Sequence, residues 1–101
     1  MATWRTCTIA WQFTDPSHSA AVFWADAGER TRTHRLAQGN KTFQPQRKLT
    51  GYEASYILTR NEQTMEALEE IVAHMLQAGW EELIERGLYW WNRSFRQEVT
   101  E

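Results

Sequence analysis

One segment of the chain, residues 61–79, has the periodicity of an amphipathic helix, while most of the rest alternates as strands do. Its apolar stripe consists of Met65, Leu68, Ile71, Val72, Met75 and Leu76. Asn61 or Thr64 is placed to be the N-cap, and Gly79 is placed to be the left-handed residue after the helix. Because no second helix is available to cover the stripe, we expect this helix to pack on a sheet.

The segments on either side of the helix show the period-two alternation of half-buried strands, with β-branched and aromatic residues on alternate positions. The strands predicted on this basis are 4–13, 29–37 and 88–96, and 20–28 and 80–86 are also predicted to be strands. Segment 29–37 has polar residues on both faces, which predicts an exposed edge strand. Residues 38–51 are predicted to form a loop, with a short strand allowed near Phe43.

Residues 52–60 fit two structures. Tyr52, Tyr56 and Leu58 fall on one side of an alternating strand, whereas Thr50 and Glu53 have the spacing of a helical capping box. We favour the strand. The order of elements then predicts an α+β fold with two layers, in which one long helix lies on one face of an antiparallel or mixed sheet of five to six strands (β-β-β-(β)-α-β-β).

The chain has the size of a single domain, residues 1–101. No apolar run approaches the ~18 residues that a transmembrane helix requires. The first residues lack the apolar region of a signal peptide. Cys7 is the single cysteine, which excludes an internal disulfide and suits a reducing compartment. We therefore expect a cytoplasmic protein that does not enter the membrane.

The last third of the chain resembles small bacterial domains whose helix runs into Gly-Trp-Glu and whose last strand ends in Phe-Lys-Arg or a similar sequence. The residues that carry this resemblance are Leu68, Leu76, Gly79, Trp80, Glu81, Phe95 and Arg96. The segment "IERGLYWWN" departs from that pattern because it is longer and more aromatic. The resemblance implies a fold of this kind and no particular activity.

No catalytic or metal-binding arrangement is visible in the sequence. His18, His34 and His74 lie far apart, and none has ligand spacing to Cys7 or to an acid. Cys7 alternates with Ile9 on the predicted core face, which is typical of a buried structural thiol. Glycine-rich phosphate loops and nucleophile elbows are also missing. We therefore expect a protein without enzyme activity, catalytic residues, metal or cofactor.

Charge is distributed unevenly along the chain. Residues 30–60 carry seven Lys or Arg against one Glu, and residues 61–101 carry three Arg against nine Glu. Either these segments neutralise each other in the fold, or the basic one meets an anion. In the second case the protein binds single-stranded nucleic acid through segment 30–48 and exposed aromatic rings. The candidates are Arg30, Arg32, His34, Arg35, Lys41, Arg47 and Lys48. The acidic sequence pI of about 5.9 disfavours this alternative.

The leading hypothesis follows from the size of the helix. A helix of ~17 residues spans ~26 Å and covers only part of a five- or six-stranded sheet. In a strand over 88–96, Trp90 and Trp91 point to opposite faces, so one of them needs other cover. A second copy related by a two-fold axis supplies it most simply. We therefore expect a non-enzymatic interaction domain that forms a homodimer, or binds a protein partner, through an aromatic sheet face. The interface candidates are Trp4, Trp90, Trp91, Phe95, Arg93 and Arg96.

Overall fold

A computed structural model describes residues 3–28, 35–50 and 53–99 of the protein. Within these ranges the chain forms, in order, β1 (Thr3–Phe13), β2 (Ala21–Asp26), β3 (Arg35–Gln38), β4 (Gln46–Thr50), β5 (Glu53–Ile57), α1 (Glu62–Gln77), β6 (Glu81–Arg86) and β7 (Arg93–Val99). None of the described segments forms a helix that is both long and apolar enough to cross a membrane.

Five strands form one antiparallel sheet in the order β3-β2-β1-β7-β6, and β4 pairs with β5 in a separate hairpin. β1 is the central strand because its first half pairs with β7 and its second half with β2. The two pairings overlap at Thr8, which lies opposite both Ser94 and Asp26. This arrangement confirms the α+β fold, with one helix on an antiparallel sheet.

Helix α1 begins and ends where the sequence predicted. The Asn61 side chain accepts a hydrogen bond from the Thr64 N–H at 2.9 Å, and the Thr64 hydroxyl accepts one from the Asn61 N–H at 2.9 Å. This capping box satisfies amide groups that the first turn leaves unpaired. At the other end Gly79 has a φ of 91°, and the Trp80 N–H donates to the Met75 carbonyl at 3.0 Å. The chain therefore turns back, and Trp80 packs on the core.

The core lies between α1 and one face of the sheet. The residues that the helix buries are Thr64, Ala67, Leu68, Ile71, Val72 and Met75. Ile9, Phe23 and Phe95, from three neighbouring strands, are fully buried against them. Cys7 lies in the same cluster, which confirms its predicted burial.

Two predictions for the middle of the chain are tested by the hairpin. Residues 46–50 lie in the predicted loop but form β4, and residues 53–57 form β5, which confirms the strand alternative there. Phe43 makes a single bridge to Ala21 beside β2. Of the predicted strand 29–37, residues 35–37 belong to β3, which is an edge strand as expected. Residues 29–34 lie outside the described residues.

The last strand differs from the prediction. β7 begins at Arg93, and a turn precedes it at residues that the alternation had placed in the strand. Trp90 and Trp91 lie in this turn, and both pack against the core on the helix side. The expectation that one of them points to the other face of the sheet is therefore wrong.

Candidate interaction surface

The face of the sheet that α1 leaves open is largely polar in its centre. Thr6 and Thr8 of β1 lie opposite Arg96 and Ser94 of β7 on this face. The Thr8 and Ser94 hydroxyl oxygens are 3.3 Å apart. This row of hydroxyl groups is not the apolar contact surface that the sequence predicted for this face. The edges of the sheet remain as places for an association surface.

Trp4 is the large ring that this face exposes, at 45% of its surface. The Arg96 guanidinium lies 4.3 Å from the centre of its ring, and Arg96 Nε lies 3.2 Å from Glu81 Oε2. The contacts among Trp4, Arg96 and Glu81 therefore link β1, β7 and β6, and the Arg96 guanidinium covers one side of the indole. Trp24 is different because it is buried, with the Arg35 guanidinium 4.8 Å from its ring centre.

Three aromatic rings lead from the core to the surface in the turn before β7. The Trp90 indole N–H donates to the Leu58 carbonyl at 2.9 Å. Trp91 packs edge-on against Trp90, with ring centres 5.7 Å apart at 90°. Tyr89 then lies parallel to Trp91 at 4.6 Å, and 53% of it is exposed. The two tryptophans thus anchor a ring that faces solvent.

Asn92 determines the shape of this turn. Its side-chain oxygen accepts a hydrogen bond from the Tyr89 N–H at 3.0 Å, and its amide donates to the Ile9 carbonyl at 3.1 Å. The Gly87 N–H donates to the Asn92 carbonyl at 3.0 Å. A Cβ at Gly87 would lie 2.7 Å from Asn92 Cβ, so the closure of the turn requires glycine.

The most exposed apolar side chains of the described structure lie beside this turn. Ile84 is 98% exposed and Leu88 is 89% exposed. These two residues and Tyr89, which follow one another along β6 and the turn, are named the β6–β7 apolar patch. Because β6 is an edge strand, no described strand covers it from outside.

A bulge in β6 presents Ile84 to solvent. Glu82 lies opposite Phe95 and Arg86 lies opposite Arg93, so three residues of β6 face one residue of β7 between these two pairs. The additional residues move out of the regular ladder. Because of the bulge, the regular alternation of a strand does not determine which face of the sheet Ile84 occupies.

An ion pair spans the bulge, because Arg93 lies opposite Arg86 at one end of it and contacts Glu82 at the other. Arg93 Nε and Nη2 donate to Glu82 Oε2 at 3.2 and 2.9 Å, and Nη2 also contacts Oε1. Both side chains are partly buried, so this two-point contact is more rigid than an ordinary surface pair. Glu85 and Arg86, at the other end of the bulge, are exposed, and neither takes part in the two ion pairs found among the described residues.

The structure places the predicted interface residues in different environments. Phe95 is fully buried and has no surface to offer a partner. Trp90 and Trp91 are partly buried and support Tyr89. The two candidate arginines are both engaged by glutamates within the hairpin. Trp4 is exposed, but it lies at the start of β1, opposite Glu98 at the far end of β7 from the turn.

The residues of the β6–β7 apolar patch were not singled out by the sequence. In a regular strand over 80–86, Ile84 shares a face with Glu82 and Arg86. Single apolar residues among charged ones are common on protein surfaces, so this alternation did not mark Ile84 as part of a contact surface.

The basic candidates for nucleic-acid binding lie on separate segments of the described structure. Arg35 is in β3 and stacks on Trp24. Lys41 is in a loop, where its backbone N–H donates to Glu70 Oε1 at 3.0 Å. Arg47 and Lys48 are in β4. The candidates outside the described residues are Arg30, Arg32 and His34. Single-stranded nucleic-acid binding therefore stays a prediction.

The turn between β1 and β2 contains a small polar and aromatic cluster. His18 has a φ of 57°, stacks on Phe13 at 4.3 Å, and has Nδ1 3.2 Å from the Tyr56 hydroxyl. Hydrogen bonds from the hydroxyls of Ser17 and Ser19 lower the pKa of Asp15 to about 2. These contacts join the β4–β5 hairpin to the end of β1, which is a structural role.

The described residues contain no cluster of three or more His, Cys, Asp or Glu side chains that could hold a metal ion. Burial raises the pKa of the Cys7 thiol to about 11, so this sulfur is protonated at neutral pH. In comparisons with known proteins, no family model, curated protein or solved structure matches the chain. The resemblance to the bacterial Gly-Trp-Glu domains stays a prediction, and function has to be argued from the surface itself.

Proposed function

We propose that this protein is a small non-enzymatic interaction domain that associates with itself through the β6–β7 apolar patch. The observation that carries the proposal is the exposure of Ile84 and Leu88, at 98% and 89%, on an edge strand and the turn that follows it. Large aliphatic side chains in such positions favour contact with another surface.

The support beneath the patch favours specific association over nonspecific aggregation. Tyr89 is held parallel to Trp91, and Trp91 packs against the indole of Trp90, which is itself hydrogen-bonded to Leu58. A side chain that is already ordered loses little conformational freedom when a partner covers it. The bulge adds charged residues around the patch, as expected of an interface with a polar rim.

The size of the patch predicts a modest affinity. Burying an aliphatic side chain contributes ~1.5–3 kcal/mol, so Ile84 and Leu88 from two copies contribute roughly 8 kcal/mol. The loss of translational and rotational freedom on association costs about 4–15 kcal/mol. These two residues alone therefore leave at most about 4 kcal/mol, which corresponds to a millimolar dissociation constant. We expect a weak dimer that forms at high protein concentration, with Tyr89 and the surrounding polar groups adding to its stability.

The test is the replacement Ile84→Lys. We expect the mass of the wild-type protein in sedimentation equilibrium to rise with concentration toward a dimer, whereas Ile84→Lys stays at the protomer mass of 11.9 kDa. A lysine at this position keeps the edge strand soluble but cannot be buried without loss of hydration.

The matched control is Leu76→Lys, because Leu76 is also a large exposed aliphatic residue, at 50%, but lies on α1. This variant should associate as the wild type does, and Trp4→Ala should do so as well. Dissociation by Trp4→Ala would move the interface to the open sheet face. A wild-type protein that stays monomeric throughout the concentration series would refute the proposal.

A further inference from the structure

We propose that the first half of β1 is a docking site for an extended acidic peptide, which adds to the sheet as a strand beside Trp4, Arg5 and Thr6. The site goes beyond the proposed function, because it lies on the side of β1 that faces away from β7 and shares no residue with the β6–β7 apolar patch. Its partner is a protein segment in which an acidic residue stands between two residues that favour strands.

The backbone in this half of β1 has hydrogen-bonding groups that no described residue uses. β2 ends at Asp26 and therefore runs along only the second half of β1. The Ile9 carbonyl accepts a hydrogen bond from Asn92, on the side of β7. Because backbone groups point alternately to the two sides of a strand, those of Trp4 and Thr6 point to the side where β2 has ended. Two N–H and two C=O groups are thus available there to another strand.

These groups border a groove. A depression of about 380 Å³ is lined on one side by β1 from Trp4 to Thr8 and on the other by Asp26, Ala27 and Gly28. The Asp26 carboxylate accepts a hydrogen bond from the Gly28 N–H at 2.7 Å, which fixes the chain just after β2. Available backbone groups beside a concave surface suit strand addition, in which main-chain hydrogen bonds supply affinity and side chains supply specificity.

Arg5 determines the charge that an added strand should carry. It contacts two uncharged groups, since its Nε donates to Gln97 Oε1 at 3.0 Å and its guanidinium lies 4.8 Å from the centre of the Trp80 ring. It takes part in neither ion pair found among the described residues. Asp26 lies opposite Thr8, on the other face of the sheet from Arg5. An acidic residue opposite Arg5 in the added strand would therefore form a favourable cross-strand pair.

The open face of the sheet selects the residues on either side of this acid. Trp4 is 45% exposed, Thr6 is also exposed, and their side chains share the face away from α1. Pairs of an aromatic with a β-branched residue, and of two threonines, stabilise neighbouring strands. An antiparallel strand with the sequence Thr-Glu-Val places its Thr opposite Thr6, its Glu opposite Arg5 and its Val opposite Trp4.

A second copy of this chain fits the groove less well. The alignment that uses all the available groups pairs Trp4 of each copy with the partner's Thr6, and Arg5 then lies opposite the partner's Arg5. Like charges directly opposite each other are destabilising. Charge therefore favours an acidic peptide over an identical edge.

The probe is the peptide acetyl-Ser-Thr-Glu-Val-Ser-amide, titrated into the isotope-labelled full chain and followed by NMR. We expect saturable shifts of the Trp4 and Thr6 amide signals, and slower hydrogen exchange of these two N–H groups when the peptide is bound. The dissociation constant should be roughly millimolar, because a short flexible peptide loses conformational freedom on binding.

N-methylated peptides test the backbone pairing. Methyl groups on the Thr and Val nitrogens remove the two peptide N–H groups that face β1, and they should abolish binding. The matched control carries its methyl group on the Glu nitrogen, which faces away from β1, and should retain most of the binding.

A charge exchange tests the role of Arg5. The peptide with Lys in place of Glu should bind about fivefold more weakly, because an attractive contact becomes a repulsive one. Arg5→Glu should reverse this preference and bind the Lys peptide more tightly than the Glu peptide. Ile84→Lys lies outside the groove and should bind both peptides as the wild type does.

Several results would overturn the proposal. Among them are a lack of saturable binding, equal losses from methylation at alternate positions, and a preference for the Glu peptide that persists in Arg5→Glu. Trp4 and Thr6 N–H groups that are protected from exchange in the free protein would show that the groove is already filled within the chain. Protection that appears only as the protein concentration rises would identify a second copy as the occupant. None of these results changes the outcome expected for self-association of Ile84→Lys, so the proposed function is tested separately.

Discussion

Cys7 is a thiol that the sheet keeps away from water. It lies opposite Phe95 in the β1–β7 pairing and belongs to the core cluster. Burial raises its pKa from 9.0 to about 11, and the nearby Arg5 opposes this effect only in part. Because the thiolate is the reactive form, Cys7 is a poor nucleophile at neutral pH.

The ionisation of Cys7 should make the free energy of unfolding depend on pH. Between pH 9 and about 11 the unfolded chain loses the thiol proton while the folded chain keeps it. The free energy of unfolding should therefore be intact below pH 9 and fall above it, by up to about 1.4 kcal/mol per pH unit from this residue. Urea unfolding of the wild type and Cys7→Ala across this range measures the effect. Identical slopes in both proteins would contradict it.

Trp90 and Trp91 show why single residues near the candidate surface were hard to place. Regular alternation would place two adjacent tryptophans on opposite faces of the sheet. Both instead pack on the core, because the chain turns there. The turn depends on the bond from Asn92 to the Ile9 carbonyl, between residues 83 positions apart. Such a partner becomes known only when β1 and β7 are known to be neighbours, so local sequence could not predict it.

At the scale of elements, α1 was predicted well because its signals are local. The apolar stripe, the capping box and the glycine at the end each act within a few residues. Gly79 has a φ of 91°, a conformation that other residues adopt at a cost. A Cβ there would lie 3.3 Å from Gln97 Nε2, the end of a flexible side chain that can move. The cost of replacing Gly79 should therefore come mainly from the strain of its backbone conformation and less from steric contact.

We expect Gly79→Ala to lower the free energy of unfolding by about 1–2 kcal/mol, the cost of a left-handed conformation for alanine. Gly79→Asn should lose clearly less, because asparagine tolerates this conformation. Urea unfolding of the three proteins measures the difference. Equal losses for Ala and Asn would mean that the contact with Gln97, and not the backbone conformation, sets the cost.

The strands were predicted less evenly than the helix. β1 alternates clearly, so its existence and its buried face followed from the sequence, whereas β2 is an apolar segment whose residues Ala21–Ala25 are buried on both faces. β4 has the polar sequence "QRKLT", and its strand character arises from pairing with β5. The bulge in β6 likewise exists only in relation to β7. The residues it exposes could therefore not be recognised as the candidate surface from alternation alone.

For the whole molecule, the two oppositely charged segments do not neutralise each other through ion pairs among the described residues. Both ion pairs found there join glutamates and arginines of the acidic segment 61–101. Contact between the segments is instead made by backbone groups, as where the Asn40 and Lys41 N–H groups donate to Glu70. Charge on the hairpin is thus matched locally at these four residues.

Association also predicts a concentration-dependent stability. A dimer that forms only from folded protomers shifts the unfolding equilibrium by mass action, so the midpoint temperature should rise with protein concentration. In Ile84→Lys the midpoint should not change with concentration. Differential scanning calorimetry of both proteins over the same dilution series measures this. A wild-type midpoint that is constant with concentration would argue against a dimer under these conditions.

The central position of β1 has a consequence during synthesis. Arg5 bonds to Gln97, 92 residues later, so the first half of β1 gains its neighbour only after β7 has left the ribosome. Until then the second half of β1 can pair with β2, but the backbone groups of its first half have no strand to bond to. If β7 of one chain instead pairs with β1 of another, the product is an exchanged dimer with a different interface.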